Sequence, residues 1–286
     1  MAPAAGGRLL LAGHVTRDAS PSGDQLGGSV AYAAQTAVFL GWTPGIVTAA
    51  GPDFDPAREL PGVEMFVTLS AATTRFENAY DDQGARRQRV TARADQIDAG
   101  IVPAHWRSPE VLLLAPVAAE LPPRSGAAFG ARLVGACGQG WLRAISQAGD
   151  VSTSGWHDPD DDLAGVHVLF LSLEDVGGVA SRAHERLDQV DVVALTRGRE
   201  GATVVTRDRT LTIPTPRRVE IDPTGAGDVF AAAFLLRYHE TKDLERAGRF
   251  ACSAASFAVE GSGWRTLGRR TEVEQRARDA LRGKNT

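Results

Sequence analysis

The chain of 286 residues is 43% apolar and 23% charged, long enough to bury a large core as one α/β domain or as one domain with a small appendage. Its net charge of −4 supplies no basic field for nucleic acid and no polybasic patch for a membrane. No apolar run reaches membrane-spanning length.

Arg8-Leu9-Leu10-Leu11-Ala12 predicts a first buried strand that ends at Gly13. A polar, turn-rich stretch follows over 16–25. Gly27-Gly28 then opens a helix over 29–40 that stops at Gly41, and 45–51 predicts the next strand. Segments 64–69, 74–80 and 87–91 show the partial alternation of strands with one polar face, and Asp81-Asp82-Gln83-Gly84 predicts a hairpin turn between the last two. They predict a small antiparallel sheet outside the main core, or else an antiparallel edge of the main sheet. From Val111 onward, buried strands at 111–115, 133–136, 166–171, 192–196 and 202–206 alternate with helices at 124–132, 179–189, 229–239 and 244–259. A terminal helix is expected within 269–286. This pattern predicts a mostly parallel sheet covered on both faces, with ligands bound beyond the carboxyl ends of its strands.

The turns after the strands are therefore where chemistry is expected. Thr224-Gly225-Ala226-Gly227 is nearly free of side chains, so its amides can approach an anion at the positive end of the helix that follows. Asp228 stands beside that pocket, an odd place for a negative charge unless it takes a proton from an attacking hydroxyl. The same residues also suit a plain helix start with Thr224 or Asp228 as the cap. Gly13 to Asp18 puts a carboxylate soon after the first strand. Gly27-Gly28 lets a polyol approach the backbone. Thr196 to Gly201 suits a phosphate-bearing ligand, and Gly261-Ser262-Gly263 follows the penultimate helix. Cys137 and Cys252 stand far apart without metal-ligand spacing. Residues 1–7 lack a basic-then-apolar leader pattern, so a cytoplasmic location is expected. His14 reads as a hydrogen-bonded turn residue, His157 with Asp158 to Asp162 as a solvated acidic loop, and Arg86, Arg87 and Arg89 as charges on an exposed hairpin.

Taken in order, these turns resemble the ribokinase-like (PfkB) family of sugar and nucleoside kinases, over residues 9 to about 263. Residues 222–230 match its C-terminal signature, and 26–41 match its Gly-Gly signature. Ala50 to Asp53 resembles its Gly-x-Asp element, and 193–202 its nucleotide loop. The resemblance implies a three-layer α/β/α sandwich, a mostly parallel sheet and a small antiparallel β lid. It implies one domain over 1–286, with the lid drawn from about 14–26 and 63–94. It implies phosphorylation of a small polyol (a sugar, a cyclitol such as inositol, or a nucleoside) by ATP with Mg²⁺. By position, Asp228 resembles the catalytic base, and Gly225, Ala226 and Gly227 the anion hole. Asp18, Gly27 and Gly28 match substrate-holding positions. Thr196, Gly198 and Gly201 match the ATP loop, with Cys252 near the adenine. Asp222 and Thr224 match positions near a monovalent cation, so K⁺ activation is open.

The departures are informative. The family's Asn-x-x-Glu stretch corresponds to residues 171–175, without the Asn. Glu174 or Asp175 is left to organise Mg²⁺ through water, or the two are simply a helix-start acid pair. Ribokinases carry Lys and Asn where this chain has Ser29 and Tyr32, which argues against ribose. Tyr32 is either a flat wall for a bulkier ring or a core residue. Residues 115–121 and 138–143 look like the branch that includes inositol kinases, and Cys137 stands where relatives often have an acid. The alternative function is a non-catalytic nucleotide or polyol sensor, motivated by the missing Asn. A homodimer through the lid strands is a further expectation.

Overall fold

The computed structural model describes residues 7–20, 23–80, 86–155 and 163–283. Its elements run β1 (Arg8–Ala12), β2 (Thr16–Ser20), β3 (Gly23–Gly27), α1 (Ser29–Phe39), β4 (Thr43–Ala50), α2 (Pro56–Glu59), β5 (Glu64–Leu69), β6 (Thr74–Tyr80), β7 (Arg86–Ala92), β8 (Val111–Leu114), β9 (Leu133–Cys137), β10 (Arg143–Ile145), β11 (Val151–Thr153), β12 (Val168–Ser172), β13 (Val192–Thr196), β14 (Ala202–Val205), β15 (Thr210–Ile213), α3 (Ala226–Thr241), α4 (Leu244–Ala258) and α5 (Arg270–Leu281). One sheet has the order β15-β14-β13-β12-β9-β8-β1-β4-β5. Its strands are parallel from β13 to β5, and β14 and β15 turn antiparallel at one edge. This is the ribokinase-like α/β fold, with a large, mostly parallel sheet, helices on its sides and a small second sheet.

The unbroken Leu9-Leu10-Leu11 run follows from this setting, because a sheet covered on both faces needs apolar residues at every position. Leu9 and Leu11 pack with Ala33, Phe234 and Ala251 of the helical layer, whereas Leu10 and Ala12 pack with Trp106, Leu121 and Phe129 on the opposite face. That second face is dressed differently from the expectation. Segments 124–132 and 179–189 form 3₁₀ turns, Pro123–Phe129 and Ala180–Arg186, in place of α-helices. Pro122-Pro123 removes two donors at the start of the first. The second offers only Ala183 and Leu187 as buried apolar contacts. Among the described residues, no helix is long and apolar enough to cross a membrane.

The small sheet has the order β3-β2-β6-β7. Its outer pairs are antiparallel, and β2 lies parallel to β6. Two sequence expectations change here. Within the stretch 16–25, read as turn-rich, Thr16–Ser20 forms β2 and pairs with Gly23–Gly27, which is β3. The segment 64–69 is not a lid strand but pairs parallel with β4 at the edge of the main sheet. An edge strand with half-exposed Met65, Phe66 and Val67 shows the same partial alternation as a lid strand, which is why the sequence misplaced it. The expected turn at 81–84 and the acidic residues 158–162 lie outside the described residues. On its outer side β7 is tied down, with Arg89 Nε donating to the Ala148 carbonyl (2.7 Å) and Val90 N to the Gly149 carbonyl (2.8 Å).

The loop after β8 is anchored by a buried acid. Glu120, 0% exposed, accepts hydrogen bonds from the backbone amides of His14 (2.8 Å), Val117 (3.0 Å) and Ala118 (2.7 Å). Glu120→Gln turns an amide NH₂ toward those donors. It is expected to cost about 2 kcal/mol in urea unfolding, because buried amides lose charged acceptors. A midpoint equal to wild type would show that the cradle contributes nothing to stability.

Candidate active site

The helices α1 and α3 begin side by side beyond the carboxyl ends of the central strands. Ser29, the first residue of α1, donates its hydroxyl to the carboxylate of Asp228 in the first turn of α3. The N-cap of α3 is Gly225, in a left-handed conformation (φ 77°), and no side chain caps the helix, so neither Thr224 nor Asp228 serves as a simple cap. The Ala226 amide is already donated to the Pro223 carbonyl (3.2 Å), a difference from the expectation that it joins an anion hole. Among the described residues, no acceptor takes the amides of Gly225, Gly227 or Asp228. Three donors at the positive end of a helix are thus left for a ligand.

The two glycines of this turn are glycine for different reasons. A Cβ on Gly225 would lie 2.2 Å from the ring of Tyr32, so the missing side chain makes room for an aromatic wall. A Cβ on Gly227 would meet nothing within 4 Å, so that face is open to a ligand. Tyr32 is 7% exposed and stands edge-on to Trp264, with ring centroids 5.6 Å apart. Burial first, and then the charges of Asp222, Asp228 and Asp18, hold its phenol well above the usual range, so it stays neutral. Its low exposure and its contact with Trp264 fit the core reading of Tyr32.

Asp228 is half-buried. Burial pushes its carboxyl up to about 6; the Ser29 hydroxyl and the charge of Arg143 pull the other way, and the charge of Asp18 adds to the rise. Asp18, on β2, accepts from the Thr16 hydroxyl (2.9 Å). A Cβ on Gly27 would lie 2.4 Å from an Asp18 carboxylate oxygen, so Gly27 makes room for that acid. Gly28 has φ 92°, and a Cβ there would lie 2.5 Å from the His14 carbonyl, a backbone packing requirement at the start of α1. His14 is fully buried between the Asp95 carbonyl (2.9 Å) and the Thr74 hydroxyl (2.7 Å), a satisfied turn residue as expected.

Sequence reasoning missed the role of Arg143. It lies on β10, over the Phe76 ring (5.8 Å), and donates to the Val117 carbonyl (3.0 Å) while its charge acts on Asp228. Its signal was present, since it follows the Gly138–Gly140 turn at the end of β9. Cys137, at that same strand end, feels the charges of both Asp228 and Asp175; burial foremost pushes its thiol up.

On the other side of the crevice the picture is mixed. Thr196 donates its hydroxyl to the Leu171 carbonyl (3.3 Å), and Gly198–Glu200 forms a 3₁₀ turn. Gly198 faces open space, whereas a Cβ on Gly201 would lie 2.0 Å from the Ile213 carbonyl, a backbone packing constraint. Cys252 is buried in α4. It is 3% exposed in the helical core, with its thiol 3.9 Å from the Ile213 carbonyl. Asp175 spends its carboxylate on the Ser172 amide (2.7 Å) and hydroxyl (2.8 Å), but Glu174 is exposed. Asp222 bends back onto the Thr224 amide (2.9 Å). Among the described residues, no group of three or more metal-ligating side chains stands ready for an ion. A separate hollow of about 560 Å³ is lined by Arg218, Phe257, Glu260 and Arg276 and by none of the crevice residues; both guanidiniums are engaged by Glu260 (3.1 Å each).

Comparison with known proteins agrees with this geometry. Residues 162–269 match the pfkB family carbohydrate kinase. A nucleoside kinase of Methanocaldococcus jannaschii is 41% identical over 81 residues, a stretch that takes in 28% of this chain and 27% of that protein. The chain thus matches only about a quarter of that relative's length. A pyrophosphate-dependent kinase of the ribokinase family, solved with a pyrophosphate analog and myo-inositol, superposes with a TM-score of 0.78 at 20% identity, over 93% of this chain and 99% of that one. Ribokinase from Thermotoga maritima superposes with a TM-score of 0.73 at 20% identity, over 95% and 99%. Residues 162–269 are thus similar to the pfkB family carbohydrate kinases, and the fold of the chain is ribokinase-like.

Proposed function

We propose that the protein transfers a phosphoryl group from ATP to a hydroxyl of a small polyol. One observation carries this reading: a carboxyl group pushed up to about 6 stands in the same helical turn as three unspent amides. The polyol lies against Asp18, Gly27 and Tyr32. Asp228 takes the proton as the hydroxyl attacks, and the amides of Gly225, Gly227 and Asp228 hold the charge of the moving phosphoryl group. Arg143 keeps Asp228 from rising further and so keeps it a base near neutrality. The donor phosphates lie toward Thr196 and Gly198. Mg²⁺ fits if it is brought by the donor, because it keeps its waters and needs few protein carboxylates; Glu174 is the exposed one on that side. When bound it would neutralise donor charge. A monovalent cation would sit by Asp222 and Thr224, where the turn leaves one Asp222 carboxylate oxygen beyond the bond to the Thr224 amide.

The test is a panel of ribose, fructose, myo-inositol and nucleosides, each offered with ATP and with pyrophosphate, and read by phosphorus NMR of the product. A phosphate ester formed from one acceptor with ATP supports the reading. Product with pyrophosphate alone would correct the donor, as the structural neighbour's chemistry suggests. Binding with no product from any pair would favour the sensor, against which the unspent amides and the raised Asp228 now speak.

The pH dependence is a separate expectation. Only ionised Asp228 accepts a proton, so kcat/KM should fall about tenfold per pH unit below about 6 and level off above it. A profile flat from pH 5 to 8 would remove Asp228 from the role of base.

A further inference from the structure

The lid is a four-stranded sheet with little core of its own. Its buried apolar residues, Phe76 and Val90, share a small cluster with Val117 and Ala118. Four short strands with so little apolar cover do not fix their own position to the precision that holding a hydroxyl demands. A polar joint at the root of β2 supplies what the core lacks. Side chains alternate along a strand, so Arg17 and Asp18 leave β2 on opposite faces. Asp18 faces Gly27 and the crevice. Arg17 turns away and grips the loop after β4.

That grip is bidentate. Both terminal nitrogens of Arg17 meet the carboxylate of Glu59, one of them at 2.7 Å, and the guanidinium also donates to the Asp53 carbonyl. Its Nε lies 3.5 Å from the Asp53 carboxylate. The Arg17 and Glu59 side chains are only 12% and 19% exposed, so solvent screens the fork weakly. Asp53 then accepts from the Thr73 hydroxyl (2.6 Å), and Thr73 accepts from the Gly51 amide (3.0 Å). One side chain therefore ties β2 to the same loop that leads, through Thr73, into β6.

Resting on the kinase reading above, we infer that Arg17 and Glu59 are positioning residues: their fork holds β2 so that Asp18 meets the acceptor's hydroxyls. The acceptor, not the donor or the chemical step, depends on it.

The experiment uses the full chain with Glu59→Gln and, separately, Arg17→Lys, whose single ammonium cannot reproduce the fork. Amide hydrogen exchange is read first, because it needs no substrate. Both variants are expected to exchange at least about tenfold faster over 16–20 and 23–27, with α1 and α3 unchanged. With the polyol that turns over in the panel, the acceptor KM should rise about tenfold while kcat stays within about threefold and the ATP KM is unchanged. Unchanged exchange in β2 and β3 overturns the inference. So does a variant in which kcat and acceptor KM worsen together with protection lost throughout the chain. If no polyol in the panel turns over, the kinase reading fails on its own account, and the exchange result still decides whether the fork holds the lid.

Discussion

Asp228→Asn is expected to lose at least about 10²-fold in turnover, the scale of a missing general base, and at the same time to become more stable above pH 6. The second half follows from linkage. The folded Asp228 carboxyl is raised to about 6, above the 3.8 of an unperturbed aspartate, so folding favours the protonated form. That stabilising contribution is fully present below pH 3.8 and is lost as pH rises through about 6. At neutral pH the ionised group therefore weakens the fold, by at most about 3 kcal/mol. An Asn still accepts from Ser29 and carries no charge against Asp18. Thermal midpoints at pH 5 and pH 8 should diverge, with the variant's lead larger at the higher pH. Near-normal turnover, or a variant less stable than wild type at pH 8, would refute the assignment. A neutral core position predicts neither effect.

Gly225→Val is the other change with a large expected effect, again at least about 10²-fold in turnover. A β-branched residue at φ 77° is strained by about 1–2 kcal/mol, and its Cβ meets the Tyr32 ring at 2.2 Å. Either the helix start or the tyrosine must move, and the amides of the hole move with the helix. Gly227→Ala supplies the contrast. Its methyl group enters open space, and Ala suits a helix better than Gly. That variant should fold at least as well as wild type yet use ATP poorly, because the methyl stands where phosphate oxygens would lie. Urea unfolding read beside the ATP KM separates the two cases. If Gly227→Ala turned over normally, the open face would not be the phosphate face.

Much of this was legible in the chain. Apolar runs such as Leu9 to Ala12 and Val192 to Leu195 predicted strands buried on both faces, and both are interior strands of the main sheet. The turn at 224–228 was legible because Gly225-Ala226-Gly227 leads straight into Asp228 at the start of an apolar helical run. What the sequence hid were relations between distant segments. Nothing near Gly225 says that it yields space to Tyr32, almost two hundred residues earlier. Cys252 was placed by family position, but the 3.6-residue period of α4 turns it inward toward Ile213. Segment 64–69 looked like lid because an edge strand of one sheet and a strand of another share the same alternation. The 3₁₀ layer escaped because composition distinguishes helix from coil better than it distinguishes one helix type from another.

The pairing of Asp18 with Asp228 bears on how a cycle would end. A neutral polyol enters between these acids without electrostatic penalty. Once esterified it carries about two negative charges, and Asp228 has to give up the proton it took. On the proposed kinase reading, the like-charge repulsion that raises one carboxyl would then push the finished ester outward, so a crevice that admits the alcohol would release its phosphate.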